Sequence, residues 1–210
     1  MDRQGILIVV SGFSGAGKGT IMKELLRRYE QYALSISATT RAPREGEKEG
    51  REYFFKSREA FEQMIADGEL IEYACYVGNY YGTPRAYVEE KLSEGRDVIL
   101  EIEIQGARRI REQFPDAVLL FVTTKDIDTL RERLDRRGTE TKEVILQRLM
   151  RAEQESEGME EYDYLVVNED LDECVMKIHG IIESEHQRIV RSGELIDRVR
   201  KELKRFSKGE

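Results

Sequence analysis

A glycine-rich segment near the N-terminus offers the clearest chemistry in this sequence. The apolar run Gly5–Val10 leads into the residues GFSGAGKGT, and a helical pattern of apolar residues follows. Glycines allow the backbone to turn with positive φ, so that successive N–H groups point into one concavity, to which the helix N-terminus adds partial positive charge. Lys18 supplies a mobile cation for phosphate oxygens. The segment therefore predicts a binding site for a nucleoside triphosphate.

The predicted phosphate loop consists of Gly12, Phe13, Ser14, Gly15, Ala16, Gly17, Lys18, Gly19 and Thr20. A serine or threonine that binds Mg²⁺ commonly follows the lysine of such loops, whereas here Gly19 stands there and the hydroxyl comes one residue later. We therefore expect no dedicated metal ligand from the protein. Mg²⁺ is expected to be held mostly through phosphate and water.

Two carboxylates, Glu101 and Glu103, follow the apolar residues Val98–Leu100. If one strand continues through both, its period of two places them on the same face, roughly 6–7 Å apart. The carboxyl ends of parallel strands line the ligand crevice of a sheet. We therefore predict that both carboxylates face the ligand, where phosphate, metal or base N–H groups compensate their burial.

The elements that must position these residues alternate between strand-like and helix-like patterns. Strands are predicted at Gly5–Val10, Val98–Leu100, Ala117–Val122 and Tyr164–Val167. Helices are predicted at Lys18–Tyr29, Gln105–Phe114, Asp126–Arg137 and Lys142–Glu157. This alternation indicates an α/β fold with a parallel sheet flanked by helices.

Two regions depart from this alternation, and they define the predicted organisation. Residues 37–95 are polar and turn-rich and predict an inserted subdomain with a helix at Ala60–Ala66 and a second helix that Thr83 caps and Pro84 begins. Residues 125–161 are charged and helical and predict a mobile lid. The core domain is then assigned to 1–36, 96–124 and 162–210, ending in an amphipathic helix that breaks near residues 192–193.

Composition excludes several classes of protein. The chain has 210 residues, 40% of them hydrophobic and 36% charged, with a net charge of −8. A net negative charge argues against a protein that coats nucleic acid. No apolar stretch approaches the roughly 18 residues of a membrane span. Cys75 and Cys174 lack metal-ligand spacing, and we expect reduced thiols in a cytoplasmic protein.

Four further motifs match one known family in the same order. The segment Thr40–Phe55, TRAPREGEKEGREYFF, has the arginine, glycine and tyrosine spacing of the guanylate kinase motif. GNYYGT at Gly78–Thr83, RGTET at Arg137–Thr141 and VNEDLD at Val167–Asp172 follow. The chain resembles the bacterial-type guanylate kinases over about residues 5–185. In this family a P-loop kinase core with an inserted GMP-binding subdomain and a helical lid uses ATP, with Mg²⁺, to convert GMP to GDP in guanine nucleotide synthesis and recycling.

The resemblance implies a set of acceptor-binding residues. GMP phosphate is expected at Arg41, Arg44, Tyr53 and Tyr81. Guanine is expected at Ser37, Glu72, Thr83 and Glu103, with Glu101 also in the GMP site. Two guanidinium groups and two phenols suit a dianionic monophosphate, and a carboxylate accepts from both donors on the Watson–Crick edge of guanine.

The resemblance also implies the residues that neutralise charge during phosphoryl transfer. They are Lys18, Arg41, Arg133, Arg137 and Arg148. Such transfer depends on positioning and charge neutralisation rather than on covalent chemistry by the protein. Asn168 matches a family position near the adenine of ATP.

Two other functions remain open at this point. One is a P-loop kinase for a ribose bisphosphate, which would leave Glu72, Thr83 and Glu103 without a base to contact. The other is an inactive guanylate-kinase-like module that binds proteins through its GMP groove, although such modules generally lose the phosphate loop that this chain keeps. The sequence contains no DxxG motif after a strand and no NKxD motif, so a switch GTPase is disfavoured. It leaves both monomer and homo-oligomer open.

Overall fold

A computed structural model describes residues 4–76, 78–135 and 142–207. Within these ranges the predicted α/β class is confirmed. The strands are β1 (Leu7–Gly12), β2 (Tyr32–Leu34), β3 (Ala38–Thr39), β4 (Phe54–Phe55), β5 (Leu70–Tyr76), β6 (Asn79–Pro84), β7 (Asp97–Glu101), β8 (Val118–Thr123) and β9 (Tyr164–Val167). The helices are α1 (Lys18–Arg28), α2 (Arg58–Ala66), α3 (Arg85–Ser93), α4 (Ile104–Gln113), α5 (Ile127–Asp135), α6 (Lys142–Ser156), α7 (Leu171–His186) and α8 (Gly193–Ser207).

The central sheet has five parallel strands in the order β2-β7-β1-β8-β9. In the middle strand, Ile8, Val9 and Val10 are completely buried, as expected for an apolar strand covered on both faces. Val9 is in register with Leu100 of β7 and Leu119 of β8. The carboxyl ends of these three strands therefore lie side by side, which is where ligands bind in open α/β sheets.

A second sheet of four strands, in the order β4-β3-β6-β5, is inserted between β2 and α3. Phe61 of α2 is completely buried against Ala38 and Leu70 of this sheet, and its ring stacks on Tyr80 with 5.2 Å between centroids. Ser57 caps α2, because its hydroxyl accepts from the Ala60 N–H at 3.1 Å. Short strands and two helices do lie between β2 and β7, while the division into a core, a subdomain at 37–95 and a lid at 125–161 stays a prediction.

Two local predictions are wrong for the same reason: a polar group has a tertiary partner. β7 ends at Glu101 and α4 begins at Ile104, so Glu101 and Glu103 do not share one strand face; the chain leaves the sheet where the Ser11 hydroxyl donates to the Ile102 carbonyl at 2.7 Å. Helix α3 begins after Pro84 rather than at it, and Thr83 does not cap it, because its hydroxyl donates to a carboxylate instead. The three-residue strand β2 was not predicted.

The chain consists of two compact units, with the boundary between Val175 and Met176. The first unit contains both sheets and helices α1 to α6. The second contains most of α7 and the whole of α8, with a break between them that matches the predicted one. In α8, Leu195, Val199 and Leu203 form an exposed apolar row. Across the residues that the structure describes, no helix is both long and apolar enough to cross a membrane.

Candidate functional site

The predicted phosphate loop joins the end of β1 to the start of α1. Gly17 stands at the N-cap of α1 with φ +93°, and a Cβ atom there would lie 2.5 Å from the side-chain nitrogen of Asn168. Glycine therefore meets both a backbone and a steric requirement at this position. No side chain caps α1 and its first turn has no acidic residue, so no side-chain cap and no carboxylate of this turn competes with an anion for its N–H groups and partial positive charge. This end of α1 is suited to bind an anion.

Lys18 lies over the same loop. Its ammonium donates to the carbonyl of Gly12 at 2.6 Å and to that of Phe13 at 3.2 Å. Both carbonyls belong to the loop, so the cation is held at the concavity rather than extended into solvent. The structure thus brings the predicted cation and the predicted amide donors together.

Two side chains from distant segments of the chain donate hydrogen bonds to the Ala16 carbonyl of the loop. Asn168, just after β9, donates from its side-chain nitrogen to the Ala16 carbonyl at 2.7 Å. Arg133 of α5 donates to the same carbonyl at 3.3 Å and to the Asn168 carbonyl at 2.8 Å. Arg133 therefore lies at the loop and Asn168 is buried beside it, while the roles of both toward ATP stay predictions.

A cleft of about 500 Å³ opens in front of the loop. It is lined by Gly12, Ser14, Lys18, Glu101, Ile102, Glu103, Val144, Gln147, Arg148, Arg151 and Glu155. The predicted residues Lys18, Glu101, Glu103 and Arg148 thus meet in one cavity, although the two carboxylates come from a strand end and a helix N-cap. Arg151 and Glu155 were not predicted; their signal in the sequence was their spacing of one and two helical turns from Arg148.

Charges of both signs face each other across this cleft. The Arg148 guanidinium donates to the Ser14 hydroxyl at 2.6 Å, which brings α6 against the loop. Glu101 opens onto the cleft, yet the surrounding protein removes part of its hydration and raises its pKa, while the Lys18 ammonium opposes this shift. The cleft therefore combines cations and a partly desolvated carboxylate.

The insertion contains a buried carboxylate and hydroxyl pair. Glu72 of β5 is 7% exposed, and its Oε1 accepts from the Thr83 hydroxyl of β6 at 2.7 Å. Burial raises the pKa of Glu72, and the Thr83 hydrogen bond and the charge of Arg109 oppose that shift. Gly106 of α4 leaves room beside this carboxylate, since a Cβ there would lie 3.2 Å from Glu72 Oε2. The pair is a built polar site, because a buried carboxylate needs donors.

A second group in the insertion combines arginine with aromatic rings. The Arg41 guanidinium lies 5.3 Å from the Tyr53 ring centroid, and the Tyr53 and Tyr81 centroids are 6.0 Å apart. Glu47 accepts from Arg41 at 2.9 and 3.0 Å and from the Arg44 backbone N–H at 2.7 Å. The Arg41 hydrogen bond lowers the pKa of Glu47. Three predicted residues are therefore together, and Glu47, which no motif singled out, organises them.

The other predicted residues are less closely grouped. The Arg44 side chain is exposed. Ser37 lies just before β3, where its carbonyl accepts from the Phe54 N–H at 2.9 Å. Thr20 is exposed in the first turn of α1. Arg137 falls outside the described residues.

Comparisons with known proteins identify the family of this chain. The family model described as guanylate kinase matches residues 4–185. A guanylate kinase of Listeria innocua is 49% identical over 97% of this chain and 98% of its own length. A guanylate kinase of Streptococcus thermophilus is 50% identical over 91% of this chain and 92% of its own length. The crystal structure of guanylate kinase from Anaplasma phagocytophilum superimposes with a TM-score of 0.72 at 34% identity, covering 90% of each chain. The chain therefore belongs to the guanylate kinase family.

Proposed function

We propose that this enzyme transfers the γ-phosphoryl group of ATP to GMP, giving ADP and GDP. The observation that carries the proposal is the presence, in one compact unit, of an uncapped helix end with Lys18 and of the buried Glu72–Thr83 pair. The first suits the phosphates of a donor nucleotide, and the second suits a base that offers hydrogen-bond donors. Together they describe a kinase whose acceptor is a guanine nucleotide.

The donor end is assigned to the phosphate loop, residues 12–20. Its N–H groups would surround the ATP phosphates, and an anion there would draw the Lys18 ammonium away from the Gly12 and Phe13 carbonyls. Arg148 contacts the Ser14 hydroxyl and so stands beside the same phosphates. Asn168 is assigned to the adenine side, next to the loop that its side chain braces.

The acceptor phosphate is assigned to the group around Arg41. Arg41 and Arg44 would supply guanidinium donors and Tyr53 and Tyr81 would supply hydroxyls. Glu47 holds Arg41 by two hydrogen bonds, so that the guanidinium is oriented before a phosphate arrives. A dianion next to Glu47 would compete with that carboxylate for Arg41, and the arginine is therefore expected to change partner when GMP binds.

Guanine is assigned to Glu72, with Ser37, Thr83, Glu101 and Glu103 completing the acceptor site. The Thr83 hydroxyl occupies Oε1 of Glu72 at 2.7 Å, which turns the carboxylate into a fixed acceptor. Guanine offers N1–H and an exocyclic amine to such an acceptor, whereas adenine offers a lone pair at N1. Burial makes the mismatch costly, because the carboxylate would lose water without gaining donors.

During transfer, the protein's part is charge neutralisation by Lys18, Arg41, Arg133, Arg137 and Arg148. Negative charge spreads over the oxygens of the transferring group, and fixed cations in a water-poor cleft stabilise it. We propose that the insertion and the segment 125–161 close over the substrates and exclude water, which would otherwise hydrolyse ATP.

The residues also fit the use of Mg²⁺ carried by ATP. Among the described residues, no group of three or more His, Cys, Asp or Glu side chains is placed to hold a metal ion. Mg²⁺ in kinases commonly keeps several waters and takes one or two protein oxygens besides the phosphates. Glu101, which lines the cleft together with Lys18, is the residue that would help to hold the ion through water, and the ion would supply positive charge to the phosphate oxygens.

The experiment that tests this function is a coupled assay of ADP release with ATP and, in parallel, GMP, AMP, CMP, UMP and a ribose bisphosphate. We expect turnover with GMP at least 100-fold above that with AMP, since a site built to bind a base donor rejects the analogue that lacks it. Equal turnover of all four monophosphates, or turnover of the ribose bisphosphate alone, would contradict the assignment. Binding of GMP without any turnover would indicate the inactive protein-binding module.

We also place the enzyme in the cytoplasm, with ATP and GMP as its partners. Both cysteines carry reduced thiols, Cys75 exposed and Cys174 buried. Free thiols are typical of a reducing compartment. Fractionation of cells with an antibody to this protein tests the assignment.

A further inference from the structure

Helix α6 touches the N-cap of α4 across the cleft. The Arg151 guanidinium of α6 donates through Nη2 to Oε2 of Glu103 and through Nε, at 3.1 Å, to Oε1 of Glu155. Arg151 and Glu155 stand one turn apart on the same helix, whereas Glu103 lies on the opposite wall. Glu155 therefore holds the guanidinium so that its far nitrogen spans the cleft.

The Glu103 side chain faces this contact rather than its own helix. It occupies the N-cap position of α4, yet its side chain makes no capping hydrogen bond to that helix. An N-cap carboxylate would ordinarily satisfy the first N–H groups of its own helix. Here it turns into the cleft instead, toward Arg151.

We propose that Arg151 is a positioning residue for GMP phosphorylation: it holds one oxygen of Glu103, so that the other faces the guanine base. Because the two side chains stand on opposite walls, the ion pair forms only while α6 lies against the cleft. Recognition of the acceptor base is thereby tied to the position of α6 against the cleft. This inference rests on the proposed function, in which Glu103 contacts guanine.

The preceding turn of α6 contacts the phosphate loop. Arg148 donates to Ser14 of the phosphate loop, and Arg151 follows three residues later, roughly 4.5 Å along the helix axis. One helix thus contacts the donor loop through Arg148 and an acceptor residue through Arg151. Loss of Arg148 should therefore mainly affect KM for ATP, and loss of Arg151 should mainly affect KM for GMP.

Electrostatics explains why a cation is required at this position. Glu103 and Glu155 face the same guanidinium, and without it two carboxylates would repel each other across the cleft. Burial raises the pKa of Glu155, the hydrogen bond from Arg151 opposes that shift, and the charge of Glu103 adds to it. Removing Arg151 therefore leaves Glu103 free to turn toward water and away from the base.

The test is a double-mutant cycle on GMP kinetics with saturating ATP. The Arg151 and Glu103 side chains are 41% and 60% exposed, so the pair belongs among partly solvated ion pairs, whose loss costs about three- to five-fold. We expect Arg151→Ala to raise KM for GMP by about that factor and to change KM for ATP by less than about two-fold. Added to Glu103→Gln, the same change should have an effect of under about two-fold. Arg151→Lys, which keeps a cation, should lie between wild type and Arg151→Ala.

A matched control is available elsewhere on α4. Arg108 forms a bidentate pair with Glu161 at 2.7 and 2.5 Å, with side chains 53% and 43% exposed, and neither residue lines the cleft. Arg108→Ala should leave KM for GMP unchanged. Thermal melts of every variant establish folding, and Arg151→Gln, which keeps part of the side-chain stem, replaces Arg151→Ala if the latter unfolds.

The outcomes separate this inference from the function on which it rests. If the wild-type protein phosphorylates GMP but Arg151→Ala behaves like Arg108→Ala, the inference is wrong and the function stands. Equal increases in KM for ATP and GMP, or fully additive effects with Glu103→Gln, would also overturn it. If wild type does not prefer GMP, both the function and the inference fail.

Discussion

Replacing Glu72 by glutamine should collapse the preference of the enzyme for GMP over AMP. The carboxylate is 7% exposed and accepts from the Thr83 hydroxyl, so its remaining acceptor capacity faces donors in a water-poor site. Guanine presents two donors there and adenine presents none at the same place. The substitution keeps the volume of the side chain and alters only its hydrogen bonding.

The expected loss in kcat/KM for GMP depends on which carboxylate oxygen of Glu72 the amide nitrogen replaces. The carboxamide oxygen of glutamine can still accept from Thr83 at the 2.7 Å position, and the amide nitrogen then takes the place of Oε2. One charge-assisted bond disappears, and a buried donor meets a donor of the base. Together these cost about 2–4 kcal/mol, or roughly 30- to 1,000-fold in kcat/KM for GMP. AMP never had the contact and should change by less than about three-fold.

The assay is kcat/KM for GMP and AMP on wild type and variant. Glu62→Gln is the matched control, because Glu62 is an exposed carboxylate of α2 in the same insertion, paired with Arg58 at 3.0 Å. Glu62→Gln should retain the wild-type ratio of GMP to AMP. If Glu72→Gln also keeps the ratio within a few-fold, Glu72 does not contact guanine and the base assignment moves to Glu103.

Three more predictions address stability, the division of the sites, and closure. Glu72→Gln should raise Tm at pH 7, because burial raises the Glu72 pKa in the folded protein above its ordinary 4.5 and ionisation then costs folding free energy. The cost falls as pH drops through the raised folded pKa and then toward 4.5, so at pH 4, where both states are mostly protonated, melts should show a smaller difference; an equal gain at both pH values would contradict this origin. Lys18→Ala should abolish phosphoryl transfer and leave GMP affinity within about three-fold by calorimetry, since the Lys18 ammonium donates to the Gly12 and Phe13 carbonyls of the phosphate loop and most GMP contacts are assigned to the insertion; a large loss of GMP binding in the folded variant would refute that separation. An ATP analogue together with GMP should slow amide exchange in α2, α5 and α6, and protection confined to residues 12–20 would contradict closure.

Strong local patterns made most of the fold predictable. β9 was predicted at its observed bounds, and α1, α4 and α6 were predicted to within one residue at each end, because each combines a clear apolar period with a recognisable start or stop. The prediction for β1, Gly5–Val10, begins and ends two residues too early. The glycine at position 12 suggested an early end, whereas the strand continues through Ser11 and Gly12. β2 has three residues, too few to display any period.

The part of the site made by consecutive residues was predictable from the sequence. Contacts between residues that are far apart in the chain were less so. The phosphate loop is local, and its geometry follows from glycine, lysine and the helix start. By contrast, Arg151 pairs with a residue 48 positions away, and no local pattern marks such a contact. Thr83 shows the same limit: its position before a proline suggests a helix cap, but the buried Glu72 is the stronger partner for its hydroxyl.

The hydrogen bond from Asn168 to the phosphate loop joins residues that a ribosome makes at very different times. Ala16 accepts its hydrogen bond from a residue 152 positions later, and β1 has no neighbour in the sheet until β7 and β8 exist. At roughly 5–20 residues per second, a ribosome needs about 8–30 s to pass from one end of that bond to the other. For much of that interval, until β8 is complete at Thr123, the apolar central strand lacks at least one of its partners, and such a strand is prone to aggregate. Nascent chains stalled before β8 should therefore be captured by ribosome-associated chaperones, and chains extended past Asn168 should be released from them.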